Sequence, residues 1–368
     1  MRRKTFVKNA AFLLTGILLS PGKIFSRKAL GAGDQKIWLE LIDYARWSPS
    51  PHNVQPWKLK IISKTQASLF YDPMRLLINT DPTSAFTITG MSMFIECINI
   101  AANPLGYKVI ARHEAEQHLD YSSKTMKLFA ELTLVERDIK EFPERELIRK
   151  RKTSRLHYDG EILKNEVIES LKTVAAEYGF HFNYSANAEI INYILKLNEE
   201  TLFYDIADER SRIELGKLIR TTHKQAEEKK DGLWSRCMRF PGGLMHNFFF
   251  HHERFNSKWK RKILSSVYLK SMTGTANVCW ISGNFKTRAD WVNAGIMFQR
   301  LWIEMTKFNV YLHPFGSVIT NPIAYEKFKL KINHSGSKGE LWMLARMGYS
   351  HQPPRSFRLE TSDIILPS

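Results

Sequence analysis

Residues 44 to 60 read YARWSPSPHNVQPWKLK and join two different apolar periodicities. The apolar residues between Ile37 and Ala45 recur at helical spacing, so the sequence predicts an amphipathic helix there. After Pro56, Trp57 and Leu59 alternate with lysines, as in a half-buried strand. The prolines between them exclude helix and central strand. The residues alone leave two interpretations open: a stiff polar loop that presents hydrogen-bonding groups to a flat ligand, or an ordinary helix-to-strand connection.

The composition is that of a globular protein. The 368 residues are 43% hydrophobic and include 9 Trp, 22 Phe and 13 Tyr, which excludes a disordered chain. This length allows one large domain or two ordinary ones. The formal charge of +17 suits a polyanionic partner, an anionic membrane surface or a phosphate-bearing cofactor. Cys97, Cys237 and Cys279 are too few and too scattered to predict a disulfide framework or a zinc site.

The N-terminus is typical of an export signal. Arg2, Arg3, Lys4 and Lys8 precede an apolar run of about ten residues, too short to span a bilayer. The opening residues resemble a twin-arginine signal with one extra residue between the arginine pair and Phe6. Residues 1–33 are therefore predicted to direct the chain to the periplasm. A docked N-terminal helix, with a cytoplasmic or membrane-associated protein, is the alternative.

The remainder is predicted to form two tandem units, 34–147 and 148–368, with an insertion or lid near 231–262. The helix and strand from Gly90 to Ile110 resemble those from Gly295 to Leu312, a weak sign of internal duplication. Helices are predicted over Gly90–Leu105, Glu141–Arg151, Val167–Tyr178, Ile190–Leu218 and Trp291–Phe308, and strands over Trp57–Ile61, Leu69–Tyr71, Tyr107–Ile110, Leu128–Val135, Phe180–Tyr184, Val278–Ile281, Val310–Leu312 and Leu341–Ala345.

Other kinds of site find little support in the sequence. No G-x-G-x-x-G follows a strand, and no phosphate-binding G-x-x-x-x-G-K-[ST] occurs. His246, His251 and His252 lack the spacing of a zinc-binding helix, so no metal site is predicted. The segment from Trp259 to Lys262 mixes basic and aromatic residues outside any nucleic-acid-binding module. No nucleic-acid partner is predicted, and contact with an anionic membrane surface is expected to be weak.

The segment from Pro49 to Trp57 resembles the APSxHNxQPW signature of the nitroreductase-like flavoprotein superfamily. It is most similar to the longer members that bind flavin mononucleotide (FMN) and often carry an export signal, the Acg-like family. Ser48 stands where alanine is usual. The resemblance implies that this loop holds a flavin, with Pro49, Ser50, Pro51, Asn53 and Gln55 as the cofactor-binding residues.

Two further segments match flavin-contacting motifs of that superfamily. The segment Arg151-Lys152-Thr153-Ser154-Arg155 resembles the RRSxR motif that binds the FMN phosphate. Judged from the residue types alone, the segment is either a phosphate-binding site or a solvent-exposed charged surface. Residues 346 to 358 resemble the closing strand and basic tail, and residues 313 to 317 resemble the loop beside flavin N5, although the acidic residue common there is missing. The resemblance thus adds as cofactor-binding residues Arg151, Lys152, Thr153, Arg155, Gly316, Ser317, Arg355 and Arg358.

These motifs are divided between the two units. Ordinary nitroreductases are dimers in which each flavin contacts the RRSxR motif of one subunit and the PSxxN loop of the other. Here the first unit holds only the loop, and the second only the basic motif and tail. The predicted fold is therefore an α+β, nitroreductase-like fold whose two tandem units form a fused pseudo-dimer with one flavin site, either as a monomer or as a homo-dimer.

The resemblance implies an FMN-dependent oxidoreductase that passes electrons from NAD(P)H to a nitro, quinone or similar small acceptor. No side chain is assigned as catalytic, because the flavin carries the hydride and water can supply the proton. The alternative is a non-catalytic protein that binds or sequesters flavin beneath the 231–262 segment. A third hypothesis, a basic protein acting on membrane or nucleic acid, rests on net charge alone.

Overall fold

The chain forms two four-stranded antiparallel sheets packed around a pair of long helices. The computed structural model describes residues 32–139, 142–255, 257–333 and 338–367. All but the last two residues of the predicted signal segment lie outside these ranges. The helices are α1 (Ala32–Ala45), α2 (Ala85–Ala102), α3 (Glu146–Lys150), α4 (Asn165–Ala176), α5 (Ala188–Ala207), α6 (Glu209–Gly216), α7 (His223–Lys229), α8 (Ser235–Met238), α9 (Gly242–Phe250), α10 (Lys258–Ser271), α11 (Arg288–Lys307), α12 (Gly316–Thr320), α13 (Pro322–Lys331) and α14 (Thr361–Ile364).

The strands follow the alternation of the sequence. In β1 the side chains of Trp57, Leu59 and Ile61 are buried and the intervening lysines are partly exposed, as the period of two requires. The strands are β1 (Trp57–Ile61), β2 (Gln66–Tyr71), β3 (Tyr107–His113), β4 (Lys127–Glu136), β5 (His181–Ser185), β6 (Ile219–Arg220), β7 (Leu233–Trp234), β8 (Asn277–Gly283), β9 (Tyr311–Pro314) and β10 (Glu340–Gly348).

The two main sheets have the same strand order. The first runs β1-β2-β4-β3 and the second β5-β8-β10-β9, with every neighbouring pair antiparallel. In each, one helix precedes the first strand, and a long helix joins the second strand to the third. The halves differ at one connection. Residues 62–65 join β1 to β2, whereas residues 186–276 join β5 to β8 and include α5 to α10.

The long helices α2 and α11 pack against each other at a glycine. A Cβ at Gly295 would lie 2.4 Å from the carbonyl oxygen of Thr89 and 2.6 Å from the Cβ of Ser92. Only glycine permits the helices to approach this closely. The span Ala85–Leu105 contains an 18-residue stretch apolar enough to cross a membrane, but 89% of that stretch is buried, as in a core helix.

The C-terminal tail leaves the second sheet and completes the core of the first. Leu359 and Ile364 belong to the apolar cluster built by α1, α2 and β1 to β4. Ile365 forms a parallel bridge with Leu59, and the Leu366 N–H donates to the Leu59 carbonyl at 2.8 Å. The tail therefore brings residues of the second half of the chain onto the first sheet.

The predicted α+β class is confirmed, and most element boundaries differ from the predictions by only a few residues. Helix α2 starts five residues before the predicted Gly90. The predicted helix 190–218 is instead two helices, because Asp208 adopts an extended backbone and caps α6 by accepting a hydrogen bond from the Ser211 N–H. Gly106 and Asn309, which follow the ends of the two long helical segments, have φ values of 77° and 58°, the left-handed conformation common at helix C-termini.

Candidate functional site

The loop between α1 and β1 has a strained backbone. Residues Pro51–Asn53 form one 3₁₀ turn, and His52, Asn53 and Gln55 have φ values of 47°, 61° and 48°. Three such non-glycine residues within four positions are uncommon and persist only where surrounding contacts hold them. The Ser50 hydroxyl supplies one such contact by accepting a hydrogen bond from the Gln55 N–H at 3.0 Å.

Helix α2 supports the other side of this loop. A Cβ at Gly90 would lie 3.3 Å from Pro51 Cδ, 3.5 Å from Ser50 Cα and 3.7 Å from the Pro49 carbonyl oxygen. The prolines predicted to bind cofactor thus lie against the helix. Because Gly90 has no side chain, the loop packs directly against the backbone of helix α2.

The side chains of Asn53 and Gln55 bind main-chain groups from elsewhere in the chain. Asn53 Nδ2 donates to the carbonyls of Gly232 and Phe357, each at 3.2 Å. Gln55 is fully buried; its Nε2 donates to the Lys230 carbonyl at 2.8 Å and its Oε1 accepts from the Leu359 N–H at 2.9 Å. Gln55 therefore connects the loop to Lys230 and to the C-terminal tail at Leu359. Asn53 Oδ1 is buried and has no hydrogen-bond partner within the described residues.

Residues 230–232 are held over the loop by a carboxylate whose side chain is only 12% exposed. Asp231 lies between two arginines, 3.0 Å from Arg75 Nη1 and 2.6 Å from Arg220 Nη2. Arg75 also donates to the Val54 carbonyl at 2.9 Å. This network ties the insertion to the first sheet.

Arg151, the first residue of the basic motif, is 5% exposed and lies beside the loop. Its Nη2 donates to the Trp47 carbonyl at 2.9 Å, and its guanidinium carbon lies 4.5 Å from the centroid of the Trp302 ring. Its Nε is buried and unpaired within the described ranges. The motif and the loop therefore meet in one polypeptide, about a hundred residues apart in sequence.

The tail adds two more arginines. The guanidinium carbon of Arg355 lies 3.4 Å from the centroid of the Trp47 ring. Arg358 donates from Nη1 to the Phe357 carbonyl at 3.2 Å. Arg355 Nη2 and Arg358 Nε are buried without a hydrogen-bond partner in the described part of the chain. Unpaired guanidinium N–H groups at this depth are ready donors for an anion.

In the described part of the chain, no carboxylate pairs with these cations. Among the described residues, none of Arg151, Arg355 and Arg358 forms an ion pair. Burial, followed by the charges of Arg151, Arg46 and Arg149, lowers the pKa of Arg355 to about 10. Burial and the neighbouring arginines, Arg151 first, lower the pKa of Arg358 to about 9. The cluster thus carries an uncompensated positive charge, which a multiply charged anion would relieve.

The rest of the basic motif lines the same region. Lys152 Nζ donates to the Pro353 carbonyl at 3.3 Å. Thr153 forms a parallel bridge with Leu312, which joins the motif to strand β9. Burial first and the charge of Arg155 second lower the pKa of His52 to about 4, so Arg155 acts electrostatically on the loop. An open groove of about 440 Å³, lined in part by Lys152 and Arg355, adjoins the cluster.

The Gly316 loop is the least connected of the predicted elements. Gly316 and Ser317 begin helix α12, and no hydrogen bond joins either to Ser50 or Asn53 in the described ranges. Nearby, Arg346 is completely buried and donates to His313 Nδ1 at 3.2 Å and to the Leu156 carbonyl at 2.8 Å. These hydrogen bonds connect β10, which contains Arg346, to β9 and to the segment that follows the basic motif.

Sequence reasoning missed the aromatic partners of the arginines. Trp47 and Trp302 lie under Arg355 and Arg151, and Trp234 packs with Phe357, at a ring-centroid distance of 5.4 Å, above the loop. No local pattern marks these tryptophans, because each comes from a different element and meets its partner only in the fold.

No protein-family model and no curated protein matches the chain. Several solved structures do. One is a nitroreductase with bound FMN from Bacteroides fragilis NCTC 9343, with a TM-score of 0.36 and 11% identity over 61% of this chain and 97% of that chain. Another is the FMN-dependent nitroreductase NfnB from Mycobacterium smegmatis in complex with NADPH, with a TM-score of 0.33 and 15% identity over 57% and 92%. A third is iodotyrosine deiodinase bound to FMN and 3-iodo-L-tyrosine, with a TM-score of 0.35 and 15% identity over 58% and 93%.

Two of these three proteins are nitroreductases, and all three bind or depend on FMN.

Proposed function

We propose that the chain is an FMN-dependent oxidoreductase of the nitroreductase type. The observation that carries the proposal is the cluster of Arg151, Arg355 and Arg358, in which buried guanidinium N–H groups have neither carboxylate nor hydrogen-bond partners among the described residues. A phosphate monoester carries nearly two negative charges and several acceptor oxygens. It would pair these donors and offset the mutual repulsion of the three cations.

The residues present fit FMN better than a dinucleotide. The arginine cluster supplies one anion site, and no glycine-rich turn for a second phosphate follows a strand. The cofactor-facing group on the loop is Asn53 Oδ1, a buried acceptor without a partner in the described part of the chain. It suits an N–H of the flavin ring system. Arg151, Thr153, Arg155 and Arg355 would hold the phosphate and sugar alcohol.

We also propose that the two halves are a fused pseudo-dimer with one flavin per chain. Their sheets share one strand order and pack through α2 and α11. The proline-rich loop is a feature of the first half, and the basic motif and tail of the second. Each occurs once, so the junction between halves offers one complete set of binding residues.

Bound flavin would accept hydride from NAD(P)H and pass electrons to a nitro, quinone or similar acceptor. The protein would bind the phosphate, orient the ring against the loop and exclude water from one face. Burial and Arg155 keep His52 neutral at neutral pH, so it can hydrogen-bond without adding positive charge.

Four measurements test the proposal. The purified chain should show flavin absorption bands, the released cofactor should co-elute with FMN, and the ratio should be close to one per chain. FAD, or two flavins per chain, would contradict the assignment. NAD(P)H consumption that depends on a nitroaromatic or quinone would establish turnover.

A non-catalytic, flavin-holding function is the second candidate, supported by the contacts of residues 230–232. Asn53 and Gln55 bind the carbonyls of Gly232 and Lys230, so the insertion covers the loop. If the cover excludes NAD(P)H, the chain binds FMN without turnover. Asp231→Asn, which weakens the ties to Arg75 and Arg220, should then create or raise activity, whereas in an open enzyme it should leave activity unchanged.

The N-terminal segment supports a further proposal, export to the periplasm by the twin-arginine route. That route carries folded proteins, which suits one that acquires its cofactor in the cytoplasm. Replacing Arg2 and Arg3 together with lysine should leave the protein in the cytoplasm, as cell fractionation would measure. An unchanged distribution would contradict export by this route.

A further inference from the structure

Helix α10 presents an apolar stripe to solvent. Trp259, Ile263 and Val267 are 63%, 52% and 53% exposed. Their spacing of four residues places them along one side of the helix. Isolated exposed apolar residues are ordinary on protein surfaces, but a tryptophan and two branched aliphatic residues in line form a continuous apolar surface.

The opposite side of α10 is anchored to the protein. Leu264 is 8% exposed and packs in an apolar cluster with Ile206 and Phe248. The Tyr268 hydroxyl accepts a hydrogen bond from Asn198 Nδ2 at 2.7 Å. The stripe is therefore the outward face of a helix already fixed by its inward face.

The charges on helix α10 itself are all positive, and those of the segment before it are nearly all positive. Lys262 and Lys270 lie on the exposed side, three and eleven positions after Trp259, and helix α10 contains neither Asp nor Glu. Between residues 233 and 270 the only acidic residue is Glu253, whereas eight residues are basic: Arg236, Arg239, Arg254, Lys258, Lys260, Arg261, Lys262 and Lys270.

This combination identifies the partner by its chemistry. An anionic lipid bilayer offers negative headgroups for lysine and arginine, and an apolar layer just beneath for tryptophan and aliphatic side chains. A nucleic acid would satisfy the charges and leave Ile263 and Val267 against phosphate and water. An acidic protein surface lacks the apolar layer unless it has a groove for the stripe.

We propose that α10 is a membrane-docking helix that lies in the headgroup region of an anionic bilayer. The fourteen-residue helix would lie parallel to the surface, with Trp259, Ile263 and Val267 inserted and the lysines beside the headgroups. The inference is independent of the flavin proposal, because it uses no residue of the loop, basic motif or tail.

Vesicle co-sedimentation of the purified full chain tests the proposal. Mixed phosphatidylglycerol–phosphatidylcholine vesicles should retain the chain, and pure phosphatidylcholine vesicles should retain at least about tenfold less, since each basic residue near an anionic surface changes affinity about fivefold. Added salt should weaken the retention.

Two variants separate the stripe from general basic character. W259S/I263S should lower binding to the mixed vesicles at least about tenfold and leave thermal unfolding unchanged, because both residues are exposed. Leu330→Ser, at a site 74% exposed on α13, is the matched control and should bind as the wild type does. Trp259→Phe should abolish any blue shift of tryptophan emission on vesicle binding.

Three results would overturn the proposal. In the first, the mixed vesicles do not retain the wild type. In the second, they retain W259S/I263S as well as the wild type. In the third, duplex DNA binds the chain more tightly than the mixed vesicles do and displaces it from them. If W259S/I263S folds poorly, K262Q/K270Q tests the same surface through its charges, and unchanged retention of that variant also counts against membrane docking.

Discussion

Replacing Arg358 with methionine should make the flavin-free protein more stable and its flavin affinity weaker. Among the described residues, Arg358 forms no ion pair, its Nε is buried and unpaired, and its one hydrogen bond goes to the neighbouring Phe357 carbonyl. Methionine keeps the packing of the aliphatic stem and removes the charge. The change therefore removes a cation that the empty protein holds at a cost.

The expected size of the stabilisation follows from the pKa of Arg358. Burial and the cations around it lower that pKa to about 9. Against an ordinary value of about 12.5, and at about 1.36 kcal/mol for each pKa unit, the upper limit is about 5 kcal/mol. Part of the side chain still reaches solvent, which screens the repulsion, so the expected gain is about 1–2 kcal/mol. For a chain of 368 residues, that gain raises the melting temperature by about 1–3 °C.

The affinity should change in the opposite direction. Loss of a charge-assisted hydrogen bond to phosphate costs about 1.5–3 kcal/mol, or roughly tenfold to a hundredfold in the FMN dissociation constant. Thermal unfolding of the flavin-free protein and fluorescence titration with FMN measure the two effects. Arg112→Met, at an exposed position on β3, is the control and should change neither.

Two outcomes would refute the reasoning. If flavin-free Arg358→Met unfolds at a lower temperature than the wild type, the arginine is a structural residue and the cluster is not under electrostatic strain. If FMN binds the variant as tightly as the wild type, the phosphate does not bind at the tail.

Three further predictions follow from single contacts. Gly295→Ala should destabilise the protein by about 1–3 kcal/mol in denaturant titrations, because its Cβ would meet the Thr89 carbonyl oxygen at 2.4 Å; equal stability would mean that the long helices separate easily. Asp231→Asn should cost about 3–5 kcal/mol and raise amide exchange in residues 218–234, since it leaves the buried Arg220 without an ion-pair partner among the described residues and Arg75 with Asp72 alone; unchanged exchange would contradict the tie. The pKa of His52 is about 4 in the folded chain, against an ordinary value of 6.5 in the unfolded chain. The contribution of His52 to stability is therefore complete above about pH 6.5 and is lost as the pH falls towards 4. Arg155→Gln should raise this pKa in an NMR titration, and an unchanged pKa would mean that Arg155 does not act on His52.

In both halves of the chain, local sequence was sufficient to predict several of the helices and strands. The alternation from Trp57 to Ile61 and the apolar run that became α2 predicted elements that the fold contains, because a period of two or 3.6 residues is decided by which face is buried. Gly90 and Gly295 were recognisable as equivalent. Their spacing alone could not indicate that Gly295 meets α2 and Gly90 meets the loop.

The sequence by itself determined the classes of element, the residues of the basic motif and the order in which the motifs occur along the chain. Only the tertiary structure decided that Arg151 meets the loop in the same polypeptide, that Trp47 and Trp302 lie beneath the arginines, and that Gln55 binds main-chain groups. Those contacts join residues separated by about a hundred to three hundred positions. Secondary-structure periodicity is a local property, whereas pairing across such distances depends on how α2 packs on α11 and where the tail crosses between the sheets.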